Sequence, residues 1–349
     1  MMKKIFLSVG ISLLIIIQGI LPVIAADNSA DYRELGSDTA LAVSEVSNEI
    51  SYNDYIDSNG GVTFDNYSKI VLIENGVVLN TQKPSYTISF ICKTNGWYSI
   101  NWDYRSLGEE SNNHQLGIYV DNQMLYSDLS LIEIPRMWLA GEISVLENGT
   151  QVRGDATLDT DWASFTVYDD TGMFAEPYLI YLTAGVHAID FKLIDGNLEL
   201  KNITLSGYEK TVEYNQYIKQ YGKLYTGEPL ERIEGENFLR TNTLSIVAGS
   251  DLSNPLTTPY SYYDQLLNVV GGSNWQYTGQ RVEWNVTVPE SGLYNIAIRY
   301  KQSYKTNMKT YRKLLVNNIV PFSEAEAIPF NYDSDWQVFQ PEWSIWLEK

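Results

Sequence analysis

The sequence predicts an all-β protein of two tandem antiparallel β-sandwich domains joined by a short helical linker, the second domain incomplete at its C-terminus. Three observations predict this class. Short runs of alternating apolar and polar residues, such as Tyr98–Tyr104 and Val282–Val288, are separated by Pro, Gly, Asn and Asp turns. A long segment of the chain also recurs later in the chain. Finally, aromatic residues make up 13% of the chain and charged residues only 19%, which is typical of a sheet protein.

The internal repeat defines the two sandwiches. Gly96–Arg105 recurs as Gly292–Lys301, and at the same spacing Leu116–Asn122 recurs as Arg312–Asn318. The first copy carries an extra piece in which two alternating runs flank Asn148-Gly149, a dipeptide that strongly favours a hairpin turn. Each copy is therefore predicted to fold as one sandwich, and the first copy is predicted to carry an additional hairpin.

The connecting and terminal segments have different compositions. Between the copies, tyrosines at near-helical spacing are followed by Gly222, which predicts a short helix in a semi-rigid connector. The predicted organisation is a signal peptide over 1–25, a flexible leader over 26–50, the first sandwich over 51–207, a helical linker over 208–228 and a truncated second sandwich over 229–349.

The amino-terminal segment is typical of a secretory signal peptide. Lys3 and Lys4 precede the apolar run Ile5–Ile17, and a small-residue end follows at Ala25. The alternative is an uncleaved membrane helix, which the short and interrupted run disfavours. We expect a secreted, cell-surface-associated protein with no membrane span after cleavage. A single cysteine, Cys92, excludes an internal disulfide.

The repeat also predicts that the second sandwich lacks strands. Leu347 matches Leu182, but the first copy continues through Gly185–Leu193 and Leu198–Leu205, for which the second copy has no counterpart. About two closing strands are therefore expected to be missing, as in an amino-terminal fragment of a longer protein. The alternative is a natural end with an unpaired sheet edge.

Charge and residue inventory exclude several functions. The net charge of -19 repels phosphates, so nucleic acid is not an expected partner. The two histidines, His114 and His187, show no zinc-binding spacing, and no nucleophile motif is present, so we expect no enzyme activity and no catalytic residues. Paired aspartates recur before Trp162 and Trp336; they are interpreted as surface turn residues, with a cation site or a catalytic pair as alternatives.

Two groups of residues are candidate binding sites. Glu234 and Glu236 are separated by two positions and would project from one face of a strand, which suits coordination of Ca²⁺ by oxygen; the alternative is a solvated strand face. A glycine-flanked segment combines aromatic planes with amides, as a sugar site requires. The candidate sugar-binding residues are Trp275, Tyr277, Gln280 and Asn274. Trp275 is the predicted stacking residue, and the alternative is that its ring packs on the sheet edge.

Several strings carry a resemblance to a known family. They are Val288–Ile296, Val320–Ala325, Asp169–Gly172, Glu176–Tyr181, Pro259–Tyr262, Asn268–Trp275 and Gly279–Trp284. In this order they resemble the tandem carbohydrate-binding-module-like, galactose-binding-like jelly-roll sandwiches that precede the solute-binding domain in large extracellular proteins of bacterial ABC sugar uptake systems. Ile233–Asn237 also resembles the Glu-x-Glu opening of family 6 and family 35 carbohydrate-binding modules, which implies a structural calcium ion.

The resemblance implies a function without catalysis. We expect a carbohydrate-binding and spacer region of an exported sugar-uptake protein, with an oligosaccharide or cell-surface glycan as partner and an ABC permease reached through a further domain. The alternative is an accessory binding region of a secreted glycoside hydrolase or polysaccharide lyase. A purely structural spacer is the third hypothesis.

Overall fold

The structure is a computed structural model. It describes residues 50–349 except 64–68, 74, 171–173, 175, 208–209, 223, 228–231 and 305, together with the backbone of strand β1, Leu13–Ile20. The predicted signal peptide and flexible leader therefore lie outside the described residues, apart from that backbone and Ile50.

The first repeat folds as an antiparallel β-sandwich. Its elements are α1 (Tyr52–Ser58), β2 (Ile70–Ile73), β3 (Val77–Leu79), β4 (Ser85–Cys92), β5 (Gly96–Ser106), β6 (His114–Val120), β7 (Ile132–Ile134), β8 (Trp138–Leu139), β9 (Ile143–Val145), β10 (Gln151–Arg153), β11 (Thr157–Leu158), β12 (Ala163–Thr166), β13 (Leu179–Leu182), β14 (Gly185–Asp195) and β15 (Leu198–Gly207). One sheet has the order β4-β14-β6-β7. The facing sheet centres on β5, which pairs with β12 and β13 on one side and β15 on the other.

Alternation along these strands builds one core between the two sheets. Trp97, Ile118 and Phe191 are fully buried, each contributed by a different strand. Cys92 is also buried, without a disulfide partner. The predicted hairpin around Asn148-Gly149 is confirmed as β9 and β10, with Gly149 at φ 84°, where a side chain would be strained.

The second repeat repeats this plan. Its elements are α2 (Tyr214–Tyr217), β16 (Arg240–Thr241), β17 (Ala248–Gly249), β18 (Val269–Val270), β19 (Arg281–Val286), β20 (Gly292–Asn295), β21 (Ile298–Tyr300), β22 (Lys309–Val316), β23 (Ile328–Asn331), β24 (Gln337–Phe339) and β25 (Ser344–Leu347). β20 pairs with β25, β21 with β24 and β22 with β23, all antiparallel. The predicted all-β class, with two antiparallel sandwich-type repeats, is confirmed.

Each repeat begins with a helix that carries two tyrosines, and a tyrosine hydroxyl clamps the helix to the backbone of a later strand of the same repeat. In the first, the Tyr55 hydroxyl accepts a hydrogen bond from the backbone N–H of Tyr181 at 2.8 Å. In the second, the Tyr217 hydroxyl accepts one from Trp346 at 2.7 Å. Tyr217 is buried in the second core, so the helix predicted as part of a connector packs inside the second unit. The spacing of its tyrosines fits a helix with one buried face, but the sequence alone does not distinguish such a helix from a helix in a linker.

Strand β1 lies between β19 and β22 and is antiparallel to both. This is the position that β14 occupies between β4 and β6 in the first unit. Within residues 229–349, the described strands include no counterpart of β14. β20 pairs with β25 along one edge. Along its other edge, the described chain makes a single bridge, between Leu224 and Leu293.

The two units are joined by strand pairing as well as by the chain. β8 of the first unit pairs with β16 of the second, and the backbone N–H of Ala140 donates to the carbonyl of Leu239 at 2.9 Å. β16 continues to β19, so the sheet crosses from one unit to the other. Because these strands contribute two residues each, side chains must supply most of the stability of this junction.

A buried ion-pair cluster lies at the junction. The Arg240 guanidinium donates from Nη1 to Asp159 Oδ2 at 2.6 Å and from Nε to Glu283 Oε2 at 2.5 Å. Arg281 also pairs with Glu283. The two carboxylates raise the pKa of Arg240 against the opposing effect of burial. Asp159, interpreted from sequence as a surface turn residue, is buried, because Arg240 of the other unit covers it.

The Arg240→Ala substitution is expected to destabilise the protein by about 3 kcal/mol or more, because it leaves Asp159 and Glu283 buried without this partner. The measurement is the free energy of unfolding in urea. The matched control is Arg105→Ala, which removes the half-exposed pair with Glu199 and should cost about 1 kcal/mol or less. Equal losses for the two variants would contradict a structural role for the junction cluster.

Candidate functional site

The predicted sugar-binding loop is held by one amide side chain. The Gln280 Oε1 atom accepts hydrogen bonds from the backbone N–H groups of Gln276 and Tyr277 at 2.7 and 2.8 Å. Its Nε2 atom donates to the carbonyl of Asn274 at 2.9 Å and to Ser245 Oγ at 3.2 Å. Gln280 is buried, so its amide fixes the loop from beneath and its hydrogen-bonding groups are engaged within the protein.

The Trp275 ring is half-buried and packs against the small apolar cluster of Phe238, Ile246, Val282 and Trp284. The Arg312 guanidinium lies 4.5 Å from the ring centroid, and its Nη2 donates to the Trp275 carbonyl at 3.2 Å. Burial lowers the pKa of Arg312 to about 10. Such a cation–π contact occupies a ring face that a sugar would otherwise cover.

Gly271 allows the close approach of the ring. A β-carbon added at Gly271 would lie 2.9 Å from side-chain atoms of Trp275, and the glycine has φ 89°. Side chains other than glycine are therefore excluded there on both grounds. The structure thus brings Trp275, Gln280 and Gly271 together as the frame of the loop.

Tyr277 and Asn274 are the exposed members of the predicted set. The Tyr277 side chain is 63% exposed. Asn274 ends a short 3₁₀ turn, Gly272–Asn274, at the same loop. An aromatic ring and a side-chain amide are therefore presented to solvent three residues apart, which is the chemistry that a pyranose face and its hydroxyls require.

A second pair of exposed aromatic rings lies on the loop between β17 and β18. Tyr262 and Tyr263 are 82% and 92% exposed, and their rings are 5.3 Å apart in an edge-on arrangement. The loop is tied to the first unit, because Gln151 Oε1 accepts from the backbone N–H of Leu267 at 2.9 Å.

The same loop lines a cavity of about 600 Å³ between the two units. Its lining residues are Ile143, Gln151, Glu234, Glu236, Asn237, Thr258, Pro259 and Leu267. The hairpin β9–β10 of the first unit forms one wall. Both predicted metal ligands, Glu234 and Glu236, line this cavity. The prediction that they project from one face of a strand is wrong: they lie in a turn, in which the backbone N–H of Asn237 donates to the carbonyl of Glu234 at 3.0 Å.

Glu236 is only 3% exposed, and its Oε2 atom has no hydrogen-bond partner among the described residues. Burial, with a smaller contribution from the charge of Glu234, raises the pKa of Glu236 to about 7. Glu234 is less buried and pairs with Arg232 at 2.6 Å. A buried carboxylate oxygen without a partner is costly, and a hard cation would satisfy it.

The described residues contain no group of three or more His, Cys, Asp and Glu side chains that could hold a metal ion. A cation at Glu234 and Glu236 would therefore need amide, carbonyl or water oxygens to complete its coordination. The paired aspartates form turns: the backbone N–H of Asp161 donates to Asp159, and that of Asp335 donates to Asp333, each at 2.9 Å.

Within the described ranges, no helix has the length and apolar character needed to cross a membrane.

No family model and no curated protein matches the chain. Among solved structures it is similar to the native structure of a family 35 carbohydrate binding module from Clostridium thermocellum, at 9% identity over 40% of this chain and 99% of that one, with a TM-score of 0.24.

Two enzymes show a comparable likeness. One is a β-glucosidase from Paenibacillus barengoltzii, at 14% identity over 38% of this chain and 10% of the enzyme, with a TM-score of 0.20. The other is a Podospora anserina GH26-CBM35 β-(1,4)-mannanase, at 13% identity over 45% of this chain and 35% of the enzyme, with a TM-score of 0.22.

The Trp275→Ala substitution is expected to lower the free energy of unfolding by about 2 kcal/mol, because it removes a ring packed against the apolar cluster and Arg312. Urea unfolding measures this. Tyr262→Ala is the matched control and should change stability by less than about 0.5 kcal/mol, since its ring is exposed. Wild-type stability of Trp275→Ala would contradict the packing role and support a ring available for stacking.

Proposed function

We propose that this chain is a non-catalytic carbohydrate-binding and spacer region of a protein exported to the cell surface. The observation that supports the proposal is the set of exposed tyrosine rings on two loops of the second unit, one of which also carries the exposed amide of Asn274. Exposed aromatic planes of this kind are costly in water and suit the apolar face of a sugar ring.

The proposed sugar-binding site is the loop from Asn274 to Gln280. Tyr277 is the exposed platform, and Asn274 supplies hydrogen bonds to hydroxyl groups. Trp275 and Gln280 position this loop, since their side chains hold its backbone and pack beneath it. Tyr262 and Tyr263 form a second platform that an oligosaccharide longer than one residue could also contact.

Glu234 and Glu236 are proposed to hold a structural Ca²⁺ ion. The orphaned Oε2 atom of Glu236 is the observation that supports the fit. The ion would stabilise the cavity between the hairpin β9–β10 and the second unit, where the described chain provides no disulfide. It would have no catalytic part, and the proposed function includes no reaction.

The proposed context is a sugar-uptake system of the ABC type, in which a solute-binding domain of the same protein delivers oligosaccharide to the permease. The second candidate context is an accessory region of a secreted glycoside hydrolase or polysaccharide lyase. The coding sequence around this region distinguishes them. A bilobal α/β domain would support uptake, whereas a domain with paired catalytic carboxylates would support the enzyme.

The Tyr277→Ala substitution is expected to weaken glycan binding about tenfold, because covering a tyrosine ring contributes about 1–2 kcal/mol by apolar burial. A glycan array identifies the ligand and calorimetry then measures Kd. The melting temperature should not change.

The matched control is Tyr304→Ala, an exposed tyrosine between β21 and β22 whose loss should leave Kd unchanged. If the paired changes Tyr262→Ala and Tyr263→Ala abolish binding and Tyr277→Ala does not, the Asn274–Gln280 loop is not the site. Unchanged binding in every variant would contradict recognition by these tyrosines.

Calcium is expected to raise the melting temperature, and by more at pH 8 than at pH 6, because protons compete for Glu236 below its pKa of about 7. With a chelator, stability should instead fall as pH rises from about 4.5 to about 7, since the folded state binds the proton more tightly than the unfolded state. Glu236→Gln should remove both effects, whereas Glu348→Gln, an exposed control, should retain them. A calcium effect that survives Glu236→Gln would place the ion elsewhere.

A further inference from the structure

An Asp-x-Asp-Trp motif ends with Trp162 in the first unit and with Trp336 in the second, and both tryptophans lie beside cations. The Trp162 ring centroid is 5.0 Å from the Arg105 guanidinium carbon and 3.8 Å from the Lys201 ammonium nitrogen. The Trp336 ring centroid is 5.2 Å from the Arg299 guanidinium carbon. Arg105 and Arg299 lie on β5 and β21, which are repeat equivalents. A surface that combines an indole ring with cations is therefore built twice.

In the second unit, the loop between β17 and β18 covers this surface. The indole Nε1 of Trp336 donates to Asp251 Oδ2 at 2.9 Å, and the Lys301 ammonium lies 3.4 Å from the same oxygen. Arg299 Nη1 donates to the carbonyl of Leu256, in the same loop, at 2.5 Å. The loop therefore brings a carboxylate to an indole N–H and an ammonium, and a backbone carbonyl to a guanidinium.

These contacts favour an ionised carboxylate. Burial opposes the ionisation of Asp251, but hydrogen bonds from Ser253 and Trp336 and the charge of Lys301 lower the pKa of Asp251 to about 2. Hydrogen bonds to a charged group are stronger than those between neutral groups. The second unit therefore shows this surface with its occupant, which is a carboxylate carried by a protein loop.

In the first unit, the described chain leaves the corresponding donors without acceptors. Lys201 forms no ion pair with the described residues, and the Trp162 indole N–H forms no hydrogen bond with them. Both residues are half-buried and can be reached from solvent. Arg105 binds Glu199 through Nε and Nη2 at 2.7 and 2.6 Å, which leaves its Nη1 without a partner in the described chain. An ammonium and an indole N–H, the two donor types that hold Asp251, are therefore open in the first unit.

We propose that Trp162 and Lys201 form a docking site for an acidic loop of a partner protein. An aspartate or glutamate of the partner accepts hydrogen bonds from Trp162 Nε1 and Lys201 Nζ, as Asp251 does from the equivalent donors in the second unit. The Nη1 atom of Arg105 donates to a backbone carbonyl of the same loop. Because β5 is paired with β12 on one edge and β15 on the other, its backbone is not open to strand addition, and the site recognises side chains. The site lies on the first unit and does not depend on the proposed glycan site.

The test uses the full chain with isotopically labelled tryptophan, in which each indole N–H gives its own NMR signal. The probe is a cyclic peptide with the sequence of Gly249–Leu256, the loop that covers Trp336. The Trp162 signal, assigned through Trp162→Phe or Trp162→Tyr, should shift as the peptide is added. Lys201→Gln should weaken this binding at least about fivefold, because it removes a charged donor. The net charge of -19 opposes an acidic peptide at long range, so the titration extends to millimolar concentration.

Three controls make the result specific. Lys192→Gln removes a cation 3.8 Å from the ring centroid of Tyr119, on the other sheet, and should leave binding unchanged. The same peptide with asparagine in place of Asp251 should not shift the Trp162 signal. Asp251→Ala in the full chain should release the covering loop, so that the peptide then also shifts the Trp336 signal.

The proposal is overturned if the peptide leaves the Trp162 signal unchanged, or if the aspartate and asparagine peptides bind equally. It is also overturned if Lys201→Gln binds the peptide as tightly as the wild type, or if the Trp336 signal of Asp251→Ala does not respond to the peptide.

Two further probes test the class of ligand. If an oligomer of galacturonic acid binds at Trp162 more tightly than the peptide, the surface is an acidic-glycan site and the proposal is overturned. If free acetate shifts the Trp162 signal at the same concentration as the peptide, the surface binds an adventitious anion only, and the proposal is overturned as well.

Discussion

The buried pairing of Arg240 with Asp159 and Glu283 fixes how the two repeats are placed, and the cavity around Glu236 follows from that placement. Arg240 lies on β16, which pairs with β8 of the first unit, so one guanidinium neutralises a carboxylate from each repeat. A planar guanidinium with several donors suits this task better than a lysine would. The hairpin β9–β10 is thereby held against the second unit, and the cavity around Glu236 exists only because both units contribute walls.

Much of the fold could be predicted because its signals are local or repetitive. Alternation along Tyr98–Tyr104 and its recurrence around Tyr294 indicate buried strands of two similar sandwiches, and the structure has both. The junction could not be predicted, because β8 and β16 are two residues long and lack a periodic pattern. Asp159 illustrates the same limit: its turn is local, whereas its burial depends on Arg240, far away in the chain.

The candidate site residues are also only partly predictable from the sequence. The sequence identifies a glycine-flanked loop with aromatic and amide side chains, and the structure places that loop at the surface of the second unit with Tyr277 exposed. The sequence does not reveal that Gln280 accepts hydrogen bonds from two backbone N–H groups, or that Arg312, from a different strand, covers Trp275. Residue type predicts what a side chain can bind, but only tertiary contacts decide whether its groups are already used.

The two repeats have kept their cores and diverged on the faces that meet other groups. The tyrosine clamps at Tyr55 and Tyr217 are the same interaction in both copies. By contrast, β19 carries Glu283 where the repeat spacing places Thr87 in β4. Thr87 hydrogen-bonds to Asp190 within its own sheet, whereas Glu283 binds Arg240 at the junction between the units. A duplicated sandwich must bury the same apolar strands to remain folded, so its free positions for new contacts are the outer faces and loops. The exposed tyrosines lie on loops of the second copy, whereas the ion-pair cluster and the Glu236 cavity lie where the two copies meet.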